Sequence, residues 1–140
     1  MTTTNFVKAT ILNVVDGDTV IVVASKDELK VRMIGINTPE SVHSDISKNT
    51  PEGIIASNYT KNALKEGMTI YLEYDVNDTD QYGRTLAYIW LSNNVDTSSF
   101  EDFCKYNYGA ILLQNTYCEA KYYAPNDKYK DWYELLDKEN

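Results

Sequence analysis

Hydrophobic and polar residues alternate along five stretches of the chain, which predicts five β-strands. The stretches are Val7–Val15, Thr19–Val23, Leu29–Ile36, Thr69–Asp75 and Thr85–Leu91. The second is a run of β-branched residues and gives the strongest strand signal. Asp16-Gly17 and the polar Ser25–Glu28 separate the first three stretches by short turns, so these strands are predicted to form a meander. Ile11 and Leu12 are core candidates of the first strand.

A helix is predicted to follow the third strand. Thr50 is suited to an N-cap, and Pro51 comes at the first helical position, where proline is favoured. The helix is expected to run to about Glu66 and to stop at Gly67, since glycine commonly ends helices. Its predicted core face, at helical spacing, is Ile55, Tyr59 and Ala63.

Two further helices are predicted after the fifth strand. Ser98 and Glu101 have the spacing of a capping box that opens a short helix ending near Gly109. Asn126 is expected to cap the last helix. The apolar face of that helix is predicted to be Tyr129, Trp132, Tyr133 and Leu136.

This order of elements predicts an α+β fold, a five-stranded OB-fold barrel with a helix after the third strand and two C-terminal helices. We expect one domain over residues 1–140, with residues 1–6 as a flexible N-terminus. Because a barrel hides the edges of its sheet, we expect a monomer.

Composition narrows the possible partners. The net charge of −8 argues against broad adhesion to nucleic acid, which needs clustered Lys and Arg, although a local site could still bind a polyanion. No apolar run approaches the ~20 residues that span a bilayer, so no membrane partner is expected. Cys104 and Cys118 are too few for a disulfide framework, and free thiols are favoured over a bridge.

The N-terminal residues lack the basic and apolar regions of a signal peptide. Either the protein stays inside the cell, or the sequence begins after a removed signal. Of the two we favour secretion.

The candidate chemistry lies at strand ends. Arg32 and Glu40 flank a bent stretch that contains Asn37. Arg32 offers a cation for a phosphate, Glu40 a base for water, and Asn37 and the bent backbone offer hard oxygen ligands for a metal. Asp16 and Asp18 bracket a glycine, and two acids so close repel each other unless a cation lies between them. Each signal alone has an ordinary alternative: a hairpin turn, an arginine on a solvent face, or a glutamate in a loop.

Taken together, three motifs resemble the staphylococcal nuclease (thermonuclease) family. They are Asp-Gly-Asp-Thr-Val at 16–20, Val-Arg-Met-Ile-Gly-Ile-Asn-Thr-Pro-Glu at 31–40, and Asp-Gln-Tyr-Gly-Arg-Thr-Leu-Ala-Tyr-Ile-Trp at 80–90. The resemblance covers roughly residues 7–138 and includes Tyr-Tyr-Ala-Pro-Asn-Asp-Lys-Tyr at 122–129. It implies an OB-fold, calcium-dependent phosphodiesterase that cuts DNA and/or RNA.

The resemblance also implies a role for each matching residue. Asp18 matches a Ca²⁺ ligand, Thr38 matches the residue that lends a backbone carbonyl, and Asp16 matches an acid close to the metal. Arg32 and Arg84 match the two phosphate-binding arginines, and Glu40 the catalytic glutamate. Tyr82 and Tyr123 match tyrosines that line the nucleotide pocket and would favour single strands.

The chain departs from the family pattern at two positions. Asn37 replaces an aspartate ligand; its amide oxygen can still coordinate Ca²⁺, but with less charge. Gln81 replaces a lysine of the prototype, which removes one phosphate contact. The alternative is a non-catalytic OB-fold module that binds nucleic acid or protein. Such a module would have no need for Arg32, Glu40 and Arg84 together.

Overall fold

A computed structural model describes residues 6–39 and 50–139 of the chain. Its elements, in chain order, are β1 (Val7–Asp16), β2 (Thr19–Ala24), β3 (Asp27–Met33), β4 (Ile36–Asn37), α1 (Pro51–Ala63), β5 (Thr69–Glu73), β6 (Thr85–Trp90), α2 (Phe100–Tyr106), α3 (Tyr108–Gln114), β7 (Glu119–Ala120) and α4 (Lys130–Glu139).

Five strands close into a barrel in the order β1-β2-β3-β6-β5, and β5 pairs back onto β1. The predicted OB-fold is therefore confirmed. All pairings in the barrel are antiparallel except β3 with β6, where Arg32 lies opposite Leu86. This parallel pairing brings together segments that are far apart in the sequence, and it sets the geometry of the site described below.

The third strand ends earlier than predicted. It stops at Met33, and Gly35 then adopts a φ of +89°, a left-handed conformation that glycine adopts without steric cost. A Cβ on Gly35 would lie 2.5 Å from the ring of Tyr133, so this position also requires a residue without a side chain. The chain bends here into β4, which leaves the barrel and pairs with β7.

The first helix begins as predicted, because the hydroxyl of Thr50 accepts the N–H of Gly53 at 2.9 Å. It ends at Ala63, before the predicted Glu66. Its predicted core face is wrong at Ile55, which is 54% exposed, whereas Tyr59 and Ala63 are partly buried and pack against the core. The residues that α1 buries are small, namely Gly53, Ala56, Ser57 and Thr60. They allow α1 to approach the turn between β1 and β2 closely.

The barrel core follows the alternation of the strands, with one exception in our assignments. Ile11 is fully buried, whereas Leu12 is 36% exposed, so Leu12 is not a core residue. Consecutive strand residues point to opposite faces, and only one of the two can point inward.

The predicted helix from Ser98 to Gly109 is observed as two helices. Ser99, not Ser98, caps α2 by accepting the N–H of Asp102 at 3.2 Å. Asn107 then separates the helices, because its side chain accepts the N–H of Ala110 at 3.1 Å and opens α3. Gly109 therefore lies inside α3 and does not end a helix. Three helices follow the barrel where two were expected.

The C-terminal helix packs largely as predicted. Tyr129, Tyr133 and Leu136 are buried, and Trp132 is half-buried beside Phe103 at 5.0 Å between ring centroids. The predicted cap is wrong, because the amide of Asn126 instead exchanges two hydrogen bonds with the backbone of Asn77, at 2.7 and 2.8 Å.

Three smaller predictions concern the N-terminus, the thiols and membrane-spanning helices. Phe6, which the sequence predicts to be part of a flexible N-terminus, packs its ring 5.7 Å from that of Trp90. Cys104 and Cys118 are free thiols, as expected. None of the helices in residues 6–39 and 50–139 has the length and apolarity to cross a membrane.

Candidate functional site

Asp18 occupies the tight turn between β1 and β2 and is only 5% exposed. Its Oδ1 accepts the hydroxyl of Thr19 at 3.0 Å, and its Oδ2 accepts the backbone N–H of Thr38 at 3.0 Å. Nη2 of Arg32 lies 3.2 Å from the same Oδ2. The carboxylate is therefore held in one orientation by three groups from three different segments.

Arg32 is held as firmly as its partner. Its Nη1 donates to the carbonyls of Met33 at 2.7 Å and Ile36 at 2.9 Å, and its Nη2 donates to Oδ1 of Asn37 at 3.1 Å. The bend after β3 thus curls around the guanidinium of its own strand. Because its position is fixed before any ligand arrives, no reorganisation is needed to present this cation to an anion.

Arg84 lies just before β6, and the parallel pairing of β3 with β6 brings it to the same end of the barrel as Arg32. Its Nε lies 2.7 Å from Oδ2 of Asp80, and its backbone N–H donates to Oδ1 of Asp80 at 2.9 Å. Its guanidinium lies 5.5 Å from the ring centroid of Tyr82. With 29% of its side chain exposed, Arg84 faces the solvent more than Arg32 does.

The hairpin around Asp80 lowers the pKa of its carboxyl. Burial raises the pKa of its carboxyl, but hydrogen bonds from Arg84 and from the backbone of Tyr82 outweigh burial and leave the pKa below its usual value of 3.8. Asp80 is therefore ionised at neutral pH and acts as a fixed anchor for Arg84.

These residues enclose one cavity of about 220 Å³. It is lined by Asp16, Asp18, Thr19, Arg32, Asn37, Thr38, Arg84 and Tyr123. The structure therefore brings together all the candidate site residues that it describes except Tyr82, which is 74% exposed and stacks outside on Arg84. Glu40 lies outside the described residues. Thr19 was not singled out from the sequence, although its place directly after Asp18 could have indicated it.

Tyr123 and Tyr82 each cover one of the arginines. The ring of Tyr123 is centred 5.7 Å from Cζ of Arg32, and the side chain is 44% exposed. Two aromatic faces therefore stand beside the two cations, with free surface on which a planar group could stack.

The oxygen atoms in the cavity fit a hard divalent cation. Asp16 and Asp18 offer carboxylates, Asn37 an amide oxygen and Thr38 a backbone carbonyl, which are the ligand types that Ca²⁺ prefers. The hydroxyl of Thr38 is buried and has no hydrogen-bond partner in the described part of the chain, as expected of an atom beside a missing polar species. Within residues 6–39 and 50–139, no three acidic, histidine or cysteine side chains form a metal cluster.

The turn at Asp18 rests on α1 through residues that sequence analysis missed. The carbonyl of Gly17 accepts the hydroxyl of Thr60 at 2.8 Å, and the hydroxyl of Tyr108 donates to Thr60 at 2.9 Å. Burial raises the pKa of Tyr108, so it remains a neutral donor. A Cβ on Gly17 would lie 2.9 Å from Cγ2 of Thr38, so only glycine leaves room for Thr38 to approach.

The chain is similar in sequence to a nuclease family and to several nucleases. The model of the family described as Staphylococcal nuclease homologue matches residues 30–140. A thermonuclease of Staphylococcus intermedius is 38% identical over 126 residues, which cover 90% of this chain and 67% of that protein. A thermonuclease of Staphylococcus hyicus is 36% identical over 129 residues, covering 92% and 68%. Endonuclease YncB of Bacillus subtilis is 32% identical over 134 residues, covering 95% and 57%. The chain thus spans about two thirds of the length of the two thermonucleases.

Proposed function

The chain belongs to the family of staphylococcal nuclease homologues and is a nuclease, and on that premise we propose that it is a calcium-dependent hydrolase of DNA and/or RNA that favours single strands. The observation that carries the proposal is the convergence of Arg32 and Arg84 on one cavity that is also lined by acidic and amide oxygens. A phosphodiester needs cations around its non-bridging oxygens, and this cavity supplies two.

The arginines act as a clamp on the scissile phosphate. Negative charge on the non-bridging oxygens grows as the attacking oxygen approaches, and a guanidinium can donate two parallel hydrogen bonds to a phosphate. Four contacts use both Nη groups of Arg32 and fix its position, so it would stabilise the transition state through its positive charge and its remaining Nε–H. Arg84 is anchored through Asp80 and keeps donors available on its exposed side.

Asp18, Asn37 and the carbonyl of Thr38 would hold the Ca²⁺, with Asp16 close by. A bound Ca²⁺ would supply Lewis-acid stabilisation of a phosphate oxygen. Asn37 contributes no negative charge, so metal binding should be weaker than with an aspartate at this position.

We propose that Glu40 orients or deprotonates the attacking water. This role rests on the match of Glu40 to the family motif at 31–40. Glu40→Gln should lower the rate of hydrolysis while Ca²⁺ still binds, as measured by calorimetry beside the cleavage assay.

Preference for unpaired strands is supported by the two exposed tyrosines. Tyr82 and Tyr123 present aromatic faces beside the arginines, and a base can stack there only when it is free of its partner strand. We also propose that the protein acts as a monomer, since the five barrel strands leave no barrel edge to pair with a second copy.

The test is hydrolysis of heat-denatured DNA, duplex DNA and RNA, each with Ca²⁺ and with a chelator. The proposal expects cleavage of denatured DNA or RNA in Ca²⁺, slower cleavage of the duplex, and none in chelator. Binding without cleavage in Ca²⁺ would overturn it and favour a binding module. Equal cleavage in chelator would overturn the metal requirement.

A further inference from the structure

A second, larger cavity of about 510 Å³ adjoins the catalytic cavity, and nothing in the proposed mechanism uses it. We call it the Tyr117 groove. It is lined by Asn37, Pro39, Glu52, Ile55, Thr116, Tyr117, Cys118 and Glu119. Its volume falls within the range of about 300–1,000 Å³ that is usual for small-ligand sites.

The groove is continuous with the catalytic cavity through Asn37, which lines both. Oδ1 of Asn37 accepts from Arg32 on the catalytic side, while its Nδ2 donates to Oε1 of Glu119 on the groove side at 3.4 Å. Arg84 and Tyr123 line the catalytic cavity but not the groove. A substrate that spans both cavities would therefore place two different nucleosides at Tyr123 and in the groove.

The aromatic wall of the groove is held rigidly. Thr116, two residues beyond the end of α3 at Gln114, adopts a φ of +61° in the turn that leads to β7. The N–H of Tyr117 donates to the carbonyl of Leu112 at 3.0 Å. The ring of Tyr117 packs on that of Tyr59, with centroids 4.4 Å apart. The ring is thus fixed by contacts from α1 and α3 before any ligand binds.

The groove is lined by apolar and acidic side chains. Ile55, which is 54% exposed, and Tyr117 both line the groove. Glu52 and Glu119 contribute carboxylates. Carboxylates repel a phosphate but accept N–H groups, so the chemistry of the groove suits a base and excludes the backbone.

We propose that the Tyr117 groove binds the nucleobase on the far side of the scissile phosphate from the nucleoside at Tyr82 and Tyr123. The inference rests on the proposed function, because it takes the scissile phosphate to lie between Arg32 and Arg84. A base bound here would use the apolar surface of Ile55 and Tyr117, which line the groove together with Asn37.

The chain offers a matched pair of variants to test this. Ile54 and Ile55 are neighbours on α1 and are 52% and 54% exposed, but only Ile55 lines the groove. Ile55→Glu and Ile54→Glu add the same charge at neighbouring positions of the same helix. Any general electrostatic effect on a polyanion is therefore common to both, and only Ile55→Glu obstructs the groove.

The substrate is a short single strand with one cleavable phosphodiester, in which the base on either side of that bond is present or replaced by an abasic residue. In the wild type, we expect removal of the base on the groove side to lower kcat/KM roughly tenfold, the scale of one lost stacking contact. Ile54→Glu should show the same loss. Ile55→Glu should be slow on the intact strand and change less than about twofold when that base is removed.

If Ile55→Glu responds to both abasic substrates as Ile54→Glu does, the groove does not hold a base, and the nuclease proposal stands. If the wild type does not cleave in Ca²⁺, the proposed function fails first. The same strands are then measured for binding in chelator by fluorescence anisotropy. If removal of the groove-side base lowers the affinity of both variants equally, the groove proposal is overturned there as well. If that removal lowers the affinity of Ile54→Glu but not of Ile55→Glu, the proposal is supported.

Discussion

Arg32 and Asp18 form a buried ion pair in the wall of the cavity that they both line, with Nη2 of the arginine 3.2 Å from Oδ2 of the aspartate. Only 9% and 7% of the two side chains are exposed. The second arginine of the site, Arg84, pairs with Asp80 at the surface, where 29% and 16% are exposed. Both are arginine–aspartate pairs, but they differ in exposure to solvent. We therefore expect their loss to affect stability differently.

Arg32→Ala should cost both stability and activity, whereas Arg84→Ala should cost mainly activity. Removing one partner of a buried pair leaves an uncompensated charge and typically costs about 3–5 kcal/mol, while an exposed pair contributes about 0–1 kcal/mol. Urea denaturation of the two variants at neutral pH measures the difference. Equal losses of stability would mean that Asp18 does not depend on Arg32 for its burial.

Asn37→Asp should tighten Ca²⁺ binding by roughly tenfold, because it adds a negative charge among the oxygens of Asp18 and Thr38. Asn94→Asp is the control, since it adds the same charge at an exposed position outside the cavity. Calorimetric titration with Ca²⁺ compares the two variants. If Asn37→Asp binds no more tightly than Asn94→Asp, residue 37 is not a ligand.

Gly17→Ala should disturb the metal side of the cavity. The new Cβ would lie 2.9 Å from Cγ2 of Thr38 and 3.1 Å from Cβ of Ala56, so Thr38 must move. Overpacking of this kind costs about 1–3 kcal/mol. Adding Thr38→Ser removes the closest methyl group and should restore part of the stability and activity. Both are read by thermal denaturation and cleavage rate, and a double variant no better than Gly17→Ala would place the strain elsewhere.

Asp80→Asn should be destabilising only where Asp80 is ionised. Hydrogen bonds from Arg84 and Tyr82 overcome the effect of burial and lower the pKa of Asp80 below 3.8 in the folded state. A lowered pKa stabilises the folded state above 3.8, and this contribution is lost as the pH falls through the folded-state value. The difference in unfolding free energy between wild type and Asp80→Asn should therefore be present at neutral pH and vanish well below pH 3.8. A difference independent of pH would mean that only hydrogen-bond geometry matters.

The barrel could be predicted from the sequence because its signals are local. Alternation identified the strands, and Thr50-Pro51 identified the start of α1. The buried face of α1 could not be predicted in the same way. Large apolar residues such as Ile55 suggested one face, but the helix packs through small residues because it must approach Gly17 closely. Such close packing depends on tertiary geometry that hydrophobic periodicity does not encode.

The site shows the same division. Asp18, Arg32 and Arg84 stood out as charged residues within recognisable motifs, and they do line one cavity. Thr60 and Tyr108, which support the turn from below, are ordinary residues of two distant helices. Their role arises only when the helices pack against the barrel, so no local pattern could indicate it.

We propose that Arg32 and Arg84 act on the same phosphate during its hydrolysis. The most direct test is the single-turnover rate of cleavage of single-stranded DNA, with enzyme and Ca²⁺ saturating, for wild type, Arg32→Ala and Arg84→Ala. We expect each variant to cleave roughly 10²–10³ times more slowly, since a pre-organised donor to the transition state is lost, while its affinity for the strand changes far less. A variant that cleaves at the wild-type rate would show that the arginine it lacks does not act on the phosphate.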